Sequence, residues 1–316
     1  MPTNDARDLN LQVEKKAVKA LYEIKASRHL GDIFLNWGII LTTAIFCSLY
    51  FHPLLYLLSI TIIGARMHAL AILMHDAAHF RFMKNRKLND LLTNYLSMYF
   101  IFSSIEVYRK NHLKHHQHLN TEDDPDWFFK LGRRDFTFPK SRAEFIFTVL
   151  AYFTLIRGFL DALWFLKRFA PANAPGAKKK ASFKTKLPRI LFYVILAAIL
   201  SILGLWKAYL LYWVIPYLST FFMFQYVRSV SEHFGELERD HLLNSTRTVK
   251  TNLFERFFLA PHNVSYHLEH HLYPGVPYYN LPQLHDLLME QEVYREKAHI
   301  TNGYLGGLIN ELSKIS

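Results

Sequence analysis

Cysteine and glycine are scarce in this chain of 316 residues, which contains one cysteine and 12 glycines. The lone Cys47 lies in an uncharged apolar stretch, so we expect a small buried or lipid-facing side chain and no internal disulfide. An iron–sulfur cluster held by cysteines is excluded. The GxGxxG turn of dinucleotide-binding folds is also missing, and so is a haem-binding segment of the cytochrome b5 kind. Any electrons that the protein uses must therefore come from outside.

Acidic residues are fewer than basic ones, with 26 Asp and Glu against 37 Lys and Arg. An excess of this kind favours nucleic acid or an anionic membrane as partner, but no nucleic-acid-binding motif is present. Residues 1–31 lack the apolar core and cleavage site of a signal peptide. Their apolar residues recur at helical spacing among lysines. We therefore expect a cytosolic amphipathic segment, either on a membrane surface or as an ordinary surface helix.

Long stretches of the chain carry no formal charge. There is no Asp, Glu, Lys or Arg from Ile33 to Ala65, and His52-Pro53 divides this run into helices predicted at 32–51 and 53–74. A second pair is predicted at 189–206 and 208–228. Because a membrane-spanning helix needs about 20 mostly apolar residues, the sequence predicts an all-α integral membrane protein with four transmembrane helices in two hairpins.

Two further apolar segments are less suited to crossing a membrane. Residues 91–105 form a short run, and 145–169 contains Arg157 and Asp161, which would be costly inside lipid. We predict that both are interfacial helices. Residues 170–186 are rich in lysine, proline and glycine and predict a flexible basic linker. Residues 291–316 are predicted to be a cytosolic C-terminal tail.

Histidines occur in three clusters at helical spacing: HDAAH from His75, HLKHH from His112 and HLEHH from His267. Residues three and four apart are neighbours on a helix, so each cluster presents several imidazoles together. Neutral imidazole is a common ligand of iron, copper and zinc. With His233 after the last predicted span, the set is too large for one ion and suits two ions with open positions. The candidate ligands are His75, His79, His112, His115, His116, His233, His267, His270 and His271.

A shared metal site requires all these clusters to lie on one side of the membrane. Four spans in two hairpins satisfy this condition. The basic residues are concentrated in the same regions, at the N-terminus, in 81–142, in 178–189 and in the C-terminal third. By the positive-inside rule, the histidine clusters and both termini are expected to be cytosolic.

These clusters resemble the three histidine boxes of the membrane fatty-acid desaturases and their hydroxylase and ketolase relatives. The strings NHLKHHQHLNTEDDPD and HNVSYHLEHHLYPGVPYYNLPQLH are similar to bacterial members of that family. The resemblance covers most of residues 30–290 and implies a desaturase domain at 32–290 in a bacterial inner membrane. It further implies that a cytosolic helical cap above four membrane helices holds two non-haem iron ions, with the nine histidines as ligands.

The sequence departs from the acyl-CoA desaturases at two places. Those enzymes carry an asparagine one turn before the ninth histidine, which reaches one iron through water, whereas Ser229 stands here. Their first box is also longer than HDAAH. The acyl-CoA substrate is therefore not carried over to this chain.

The resemblance implies O2-dependent desaturation of a fatty-acyl or lipid alkyl chain, because unactivated C–H bonds are broken only with cofactor chemistry. It also implies an external electron donor of the ferredoxin, rubredoxin or cytochrome b5 type. A hydroxylase or ketolase acting on a carotenoid, sterol, sphingoid or alkane is the alternative. A membrane zinc protease would need HExxH, which HDAAH does not supply. A metal transporter would need its ligands inside the membrane spans, whereas these histidine clusters lie outside the predicted spans.

Several polar residues adjoin the histidine clusters. Asp76, Asp126, Glu269 and Asn263 are candidates to accept the outer N–H groups of ligand imidazoles, or they are solvated surface groups. His118 and His262 also lie beside the ligand clusters and are interpreted as residues behind the ligands or at the surface, with exchange for one of the ligands as the alternative. Arg66, within the second apolar helix, could line a substrate slot or extend to the membrane surface. The remaining histidines have no such spacing and are interpreted as structural or incidental: His29, His52, His68, His241, His285 and His299.

Overall fold

The fold is known from a computed structural model, which describes residues 15–128, 130–168, 183–235, 237 and 242–313. Most of the predicted linker at 170–186 lies outside the described residues. So do residues 1–14 of the predicted N-terminal segment, and His241.

The described part of the chain is mostly helical. In chain order the helices are α1 Lys15–Leu21, α2 Ala26–Leu49, α3 Pro53–Ala78, α4 Arg86–Thr93, α5 Ile105–Gln117, α6 Pro125–Phe128, α7 Arg142–Leu150, α8 Ile156–Arg168, α9 Phe183–Ile202, α10 Trp206–His233, α11 Leu253–Phe258, α12 His267–Leu272, α13 Leu281–Met289, α14 Glu292–Lys297 and α15 Ile309–Leu312. Two π-helical segments, Leu210–Val214 and Tyr217–Phe221, lie within α10.

Three helices in the described residues are long and apolar enough to cross a membrane, namely α2, α3 and α10. The first two form the predicted hairpin, in which Pro53 opens α3 and the His52 side chain accepts the Leu54 N–H. Helix α10 contains the predicted span at 208–228. Helix α9 corresponds to the predicted span at 189–206, and its crossing remains a prediction.

The segment predicted to be interfacial, 145–169, folds as a sharply bent pair of helices. The pieces Arg142–Thr154 and Ile156–Trp164 meet at 87°. The bend lies at Leu155, whose φ of 65° is in the left-handed region. A bend of this size suits either a broken span or a re-entrant loop, so the interfacial placement stays a prediction. The pair packs on α10, where Gly158 approaches the Leu218 carbonyl oxygen.

Helix α3 is the central element of the membrane half. It is buried continuously from Ile63 to Ala78. A helix buried on all sides is apolar on all sides, which explains why its sequence shows little amphipathic periodicity. Its C-terminal turn carries the first histidine cluster into the part of the protein called the cap, which consists of α5, α6 and residues 242–313.

The cap contains two short strands that an all-α fold does not include. Strand β1, Thr248–Lys250, pairs in parallel with β2, Ile300–Asn302, and Val249 lies opposite Thr301. Strands of three residues are too short to show an alternating pattern in the sequence. Because β2 lies in the predicted C-terminal tail, much of that segment is folded into the cap, with Tyr294 and Leu312 fully buried.

Helix α1 packs against the cap. Val18 and Leu21 are buried in an apolar cluster with Leu268, Leu281 and other cap residues. The Leu21 carbonyl also accepts a hydrogen bond from Asn280 Nδ2 at 2.7 Å. Of the two alternatives for the amphipathic segment, the described part fits a packed protein helix.

Alanine at Gly158 should separate the bent helix pair from α10. A Cβ at this position would overlap the backbone of Leu218, which cannot move aside as a flexible side chain could. We expect a loss of about 1–3 kcal/mol, the usual range for overpacking, seen as a lower thermal unfolding midpoint in detergent. Gly38→Ala is the matched control because nothing lies within 4 Å of its Cβ position. Equal midpoints for the two variants would show that the contact is not tight.

Candidate metal centre

The nine predicted histidines converge into two groups. One consists of His75, His79, His112, His116 and His270, and the other of His115, His233, His267 and His271. Within each group the ligand nitrogens lie within 4.8 Å of one another. The two groups adjoin, since the His116 and His271 ring centroids are 4.3 Å apart. Both groups have the composition of a site that could hold a metal ion.

Each HxxHH cluster divides its histidines between the two groups. On α5, His112 and His116 join the first group while His115 joins the second. On α12 the division is reversed, with His270 in the first group and His267 and His271 in the second. Seen along a helix, the side chain at i+4 is turned by about 40° to one side of the side chain at i, and the side chain at i+3 is turned by about 60° to the other side. The spacing thus lets one turn of helix serve two neighbouring centres.

The nitrogen positions fit metal coordination better than hydrogen bonding. In the first group, His112 Nε2 lies 2.7 Å from His79 Nε2 and 3.1 Å from His116 Nε2. His116 Nε2 is also 3.0 Å from His270 Nε2. One N–H proton cannot serve so many converging nitrogens. Nitrogens about 2.1 Å from an ion at right angles to each other lie about 3.0 Å apart, which is the spacing seen here.

The second group shows the same spacing. His267 Nε2 is 3.0 Å from His233 Nε2 and 3.0 Å from His271 Nε2. Among the described residues, His75 Nε2 of the first group is buried with no hydrogen-bond partner. A bound cation would supply the missing partner. The residues present therefore fit the metal that the sequence predicted.

Burial favours the neutral form of several of these imidazoles. It lowers the pKa of His79 to about 3. Burial and the neighbouring imidazoles lower the pKa values of His112, His116, His270 and His271 well below the usual value. A neutral imidazole has a free lone pair at physiological pH, and this is the form that binds metal.

Carboxylates lie at the outer nitrogens of two ligand rings. Asp124 Oδ2 is hydrogen-bonded to His115 Nδ1 at 2.8 Å, and Glu232 Oε1 lies at an ion-pair distance of 3.4 Å from His267 Nδ1. Asp124 is itself fixed by the backbone N–H groups of Asn120 and Asp126. Because a carboxylate accepts the Nδ1 proton, Nε2 is left free to face the metal. Neither acid was predicted from the sequence, although Asp124 stands in the string TEDDPD and Glu232 directly precedes His233.

Two of the four predicted orienting residues have other partners. Asp76 accepts the Tyr278 N–H at 3.2 Å and lies 3.8 Å from His29 Nδ1. Asn263 Nδ2 donates to the Tyr278 carbonyl at 3.1 Å. These contacts join α3 to the segment that follows the third cluster. A role in orienting imidazoles remains a prediction for both.

The other two predicted residues are Asp126 and Glu269. Asp126 pairs with Lys130 at 2.5 Å on the wall of a cavity beside the histidines. Glu269 is completely buried and accepts hydrogen bonds from Thr248, His285 and Tyr294 at 2.5–2.7 Å. His285, interpreted from sequence as structural or incidental, thus belongs to the buried hydrogen-bond cluster around Glu269, a residue of α12. For Glu269 the contacts point to a structural role.

Other histidines lie outside the two groups. His262 Nε2 is 3.0 Å from Asn36 Nδ2, in a polar cluster that includes buried Arg66. His299 lies 2.9 Å from Glu311 and 2.8 Å from Asn244. These contacts fit the structural role expected of His299, and they place His262 against α2.

A cavity of about 230 Å³ adjoins the histidine groups. His75, His112, His115, His233 and His267 form part of its wall. Another part of the wall is apolar and includes Ile101, Phe221 and Phe222. A third part is polar and includes Asn111, Gln225, Arg228 and Ser229. The arrangement can hold an organic substrate against the metal centre.

Comparison with known proteins agrees with this arrangement. Residues 51–303 match the model of the family described as fatty acid desaturase. The chain belongs to this family. It is also similar to the dihydrorhizobitoxine desaturase of Bradyrhizobium elkanii, with 30% identity over 297 residues, 91% of this chain and 83% of that protein. The predicted family and the assignment as an oxidoreductase are confirmed. Membership in the family implies a membrane protein that uses O2 and a lipid substrate.

Asparagine at Asp124 should weaken metal binding while preserving the shape of the side chain. The variant removes the charge that holds the His115 Nδ1 proton, and loss of such a partner costs about 10- to 100-fold in metal affinity. Affinity would be measured by competition with a chelator. The adjacent Asp123→Asn is the control, because the Asp123 side chain is 76% exposed and its ion pair with Lys114 is long, at 4.0 Å. Equal affinities in the two variants would contradict the orienting role of Asp124.

Proposed function

We propose that this protein is an O2-dependent desaturase in which the nine histidines bind two iron ions. The observation that carries the proposal is the division of both HxxHH clusters between two adjoining groups. A single ion would leave one group without a function. The first group offers five nitrogens and the second four, so each ion would retain open positions for O2 or water.

The bound irons would supply the O2 chemistry needed to break unactivated C–H bonds. In the overall reaction, a –CH2–CH2– segment, O2, two electrons and two protons give –CH=CH– and two waters. The chain holds the ligands in a buried setting, and Asp124 and Glu232 fix the ring orientations. Seven of the nine histidines are buried, which limits the access of bulk water to the open positions.

The substrate of the proposed reaction is a fatty-acyl or lipid alkyl chain. Ile101, Phe221 and Phe222 give the cavity an apolar wall for the chain, and histidines of both groups lie in the same cavity. Holding the reacting carbons at this wall would restrict which C–H bonds meet the metal centre. The desaturase named as a relative supports double-bond formation over hydroxylation or keto-group formation.

The proposed setting is a bacterial inner membrane with the histidine groups and both termini in the cytosol. The concentration of basic residues outside the apolar runs supports this orientation. A donor of the ferredoxin, rubredoxin or cytochrome b5 type would then deliver electrons at the cytosolic cap.

Two measurements test the proposal. Metal analysis of the purified protein should give about two irons per chain, whereas stoichiometric zinc would contradict it. Lipid and small-acid profiling of cells that express the chain should show a new double bond that is absent with His270→Ala. His52→Asn is the control, because His52 caps the far end of α3 and asparagine can replace it there. A new hydroxyl or keto group instead of a double bond would assign the chain to the hydroxylase or ketolase class.

A further inference from the structure

The cavity beside the histidines has three basic residues in its wall, and they differ in how fully they are paired. Lys130 Nζ lies 2.5 Å from Asp126 Oδ2. Arg133 Nη2 lies 2.7 Å from Asp161 Oδ1 and 3.3 Å from Asp135. Each of these two cations thus has its charged end against a carboxylate. Arg228 is arranged differently.

Arg228 uses its inner nitrogen, not its end, for its ion pair. Its Nε donates to Glu232 Oε1 at 2.6 Å, one turn further along α10. Within the described part of the chain, its terminal Nη1 and Nη2 groups make no hydrogen bond. The side chain is only 11% exposed and forms part of the cavity wall. These two groups can therefore donate to an anion in the cavity while Nε keeps its ion pair with Glu232.

The residues around Arg228 are suited to the same anionic group. Gln225 and Asn111 also line the cavity, and their amides can donate further hydrogen bonds. Ser229 Oγ, on the next residue of α10, is buried with no hydrogen-bond partner in the described structure. Beside the paired charges of the cavity wall, Arg228 and these neutral donors therefore form a set of hydrogen-bond donors close to the metal ligands.

From this arrangement we propose that the cavity binds its substrate through a free carboxylate held by the two terminal amino groups of Arg228. A guanidinium pairs with a carboxylate through two parallel hydrogen bonds, which fixes the position of the ligand as well as its charge. An ester, amide or thioester of the same acid has no negative charge, so the terminal amino groups of Arg228 would gain no charged acceptor beyond the existing ion pair with Glu232. The inference rests on the proposed function and narrows its substrate class to unesterified carboxylic acids.

The dimensions of the cavity add a constraint on where oxidation occurs. Arg228 and His233 are five positions apart on α10, about 7.5 Å along its axis. The carboxylate and the reacting carbons would lie in the same cavity. The substrate is therefore oxidised within a few carbons of its carboxylate.

The test is a binding measurement that does not depend on turnover. Hexanoate and hexanamide have the same size and differ in charge, so they are the probes. Calorimetric titration of the iron-loaded protein in detergent should show saturable binding of hexanoate and binding of hexanamide about 10- to 100-fold weaker. Arg228→Met, which keeps the length of the side chain, should bind the two probes equally and weakly. Equal binding by the unaltered protein would overturn the proposal.

A second variant guards against misfolding and against a direct contact of hexanoate with the metal. Arg228→Met leaves Glu232 unpaired, so the double variant R228M/E232Q removes both charges and should give the same equal binding. Because Glu232 also lies beside His267, every sample is loaded with iron and its iron content is matched before the titration. If hexanoate binding is retained in both variants and disappears on chelation, the carboxylate is on the metal and the proposal is wrong. Loss of the preference with unchanged iron content supports it.

The two proposals can fail separately. A protein with about two irons that forms a double bond but does not distinguish hexanoate from hexanamide retains the proposed function and rejects the carboxylate site. A protein that binds hexanoate through Arg228 but contains zinc retains the carboxylate site and rejects the desaturase proposal.

Discussion

Alanine in place of His112 or His271 is expected to remove one metal ion and leave the other. His112 belongs to the five-histidine group and His271 to the four-histidine group. Each variant lowers the ligand number at one centre and leaves every ligand of the other centre unchanged. Metal analysis should therefore fall from about two irons per chain to about one in each variant. Double-bond formation should fall by more than about a hundredfold, since altering even an outer partner of a ligand costs 10- to 100-fold.

His118→Ala provides the control for this comparison. His118 follows α5 directly and is close in sequence to the second cluster, but it is not a member of either group. Its removal should leave the iron content and the product yield unchanged. Loss of both ions in both variants would indicate a single cooperative centre. Retention of both ions in either variant would show that the altered histidine is not a ligand.

The histidines of the candidate site could be predicted from the sequence because their residue type and spacing are local properties. Three and four residues apart, the imidazoles of one cluster must lie near one another on a helix. Nothing in the spacing told which imidazole belongs to which centre. The division of the HxxHH clusters depends on how α5 and α12 approach each other, and that is a property of tertiary packing.

The two acids that the structure places beside ligand rings were not among the predicted residues, for a related reason. Asp76, Asp126 and Glu269 were chosen because they adjoin the clusters in sequence, whereas the structure puts Asp124 on His115 and Glu232 on His267. Glu232 reaches a ring 35 positions away along the chain, as counted from the sequence numbers. Carboxylates are abundant in any polar segment, so adjacency alone cannot identify the one that turns toward a ring.

The fold shows a similar limit. Apolar runs predicted α2, α3 and α10 well, because length and hydropathy are local properties. The helical part of α3 continues to Ala78, beyond the predicted end at 74, since helical hydrogen bonds do not stop where the side chains become polar. The parallel pair of β1 and β2 joins segments about 50 residues apart, a contact that no local pattern reveals.

The charged residues at and near the cavity wall were predicted only in part from the sequence. Arg157 and Asp161 were predicted to keep segment 145–169 out of the membrane interior, and the structure places Arg157 against Asp135 and Asp161 against Arg133. Paired in this way, the charges can lie next to an apolar segment at lower cost. The sequence shows the charges but not their partners, and so it could not single out Arg228, whose terminal amino groups make no hydrogen bond to the described residues.

Alanine in place of Glu269 is expected to be the most destabilising single change in the cap. Glu269 has no exposed surface, and its oxygens accept hydrogen bonds from Thr248, His285 and Tyr294. Removing it leaves three buried donors on three different elements without an acceptor. Breaking a buried charged network by removing one member costs about 3–5 kcal/mol. Thermal unfolding of the metal-free protein in detergent would measure the loss.

Measuring the metal-free protein separates a structural role for Glu269 from the predicted role in orienting an imidazole. A structural role requires destabilisation without metal, and partial rescue by Glu269→Gln, which keeps one oxygen acceptor. Glu290→Gln, on the exposed residue after α13, is the control and should leave the unfolding midpoint unchanged. If Glu269→Ala instead unfolds at the normal temperature and only weakens metal binding, the acid acts on a ligand ring. The hydrogen bonds to Thr248 and Tyr294 would then contribute little to the stability of the cap.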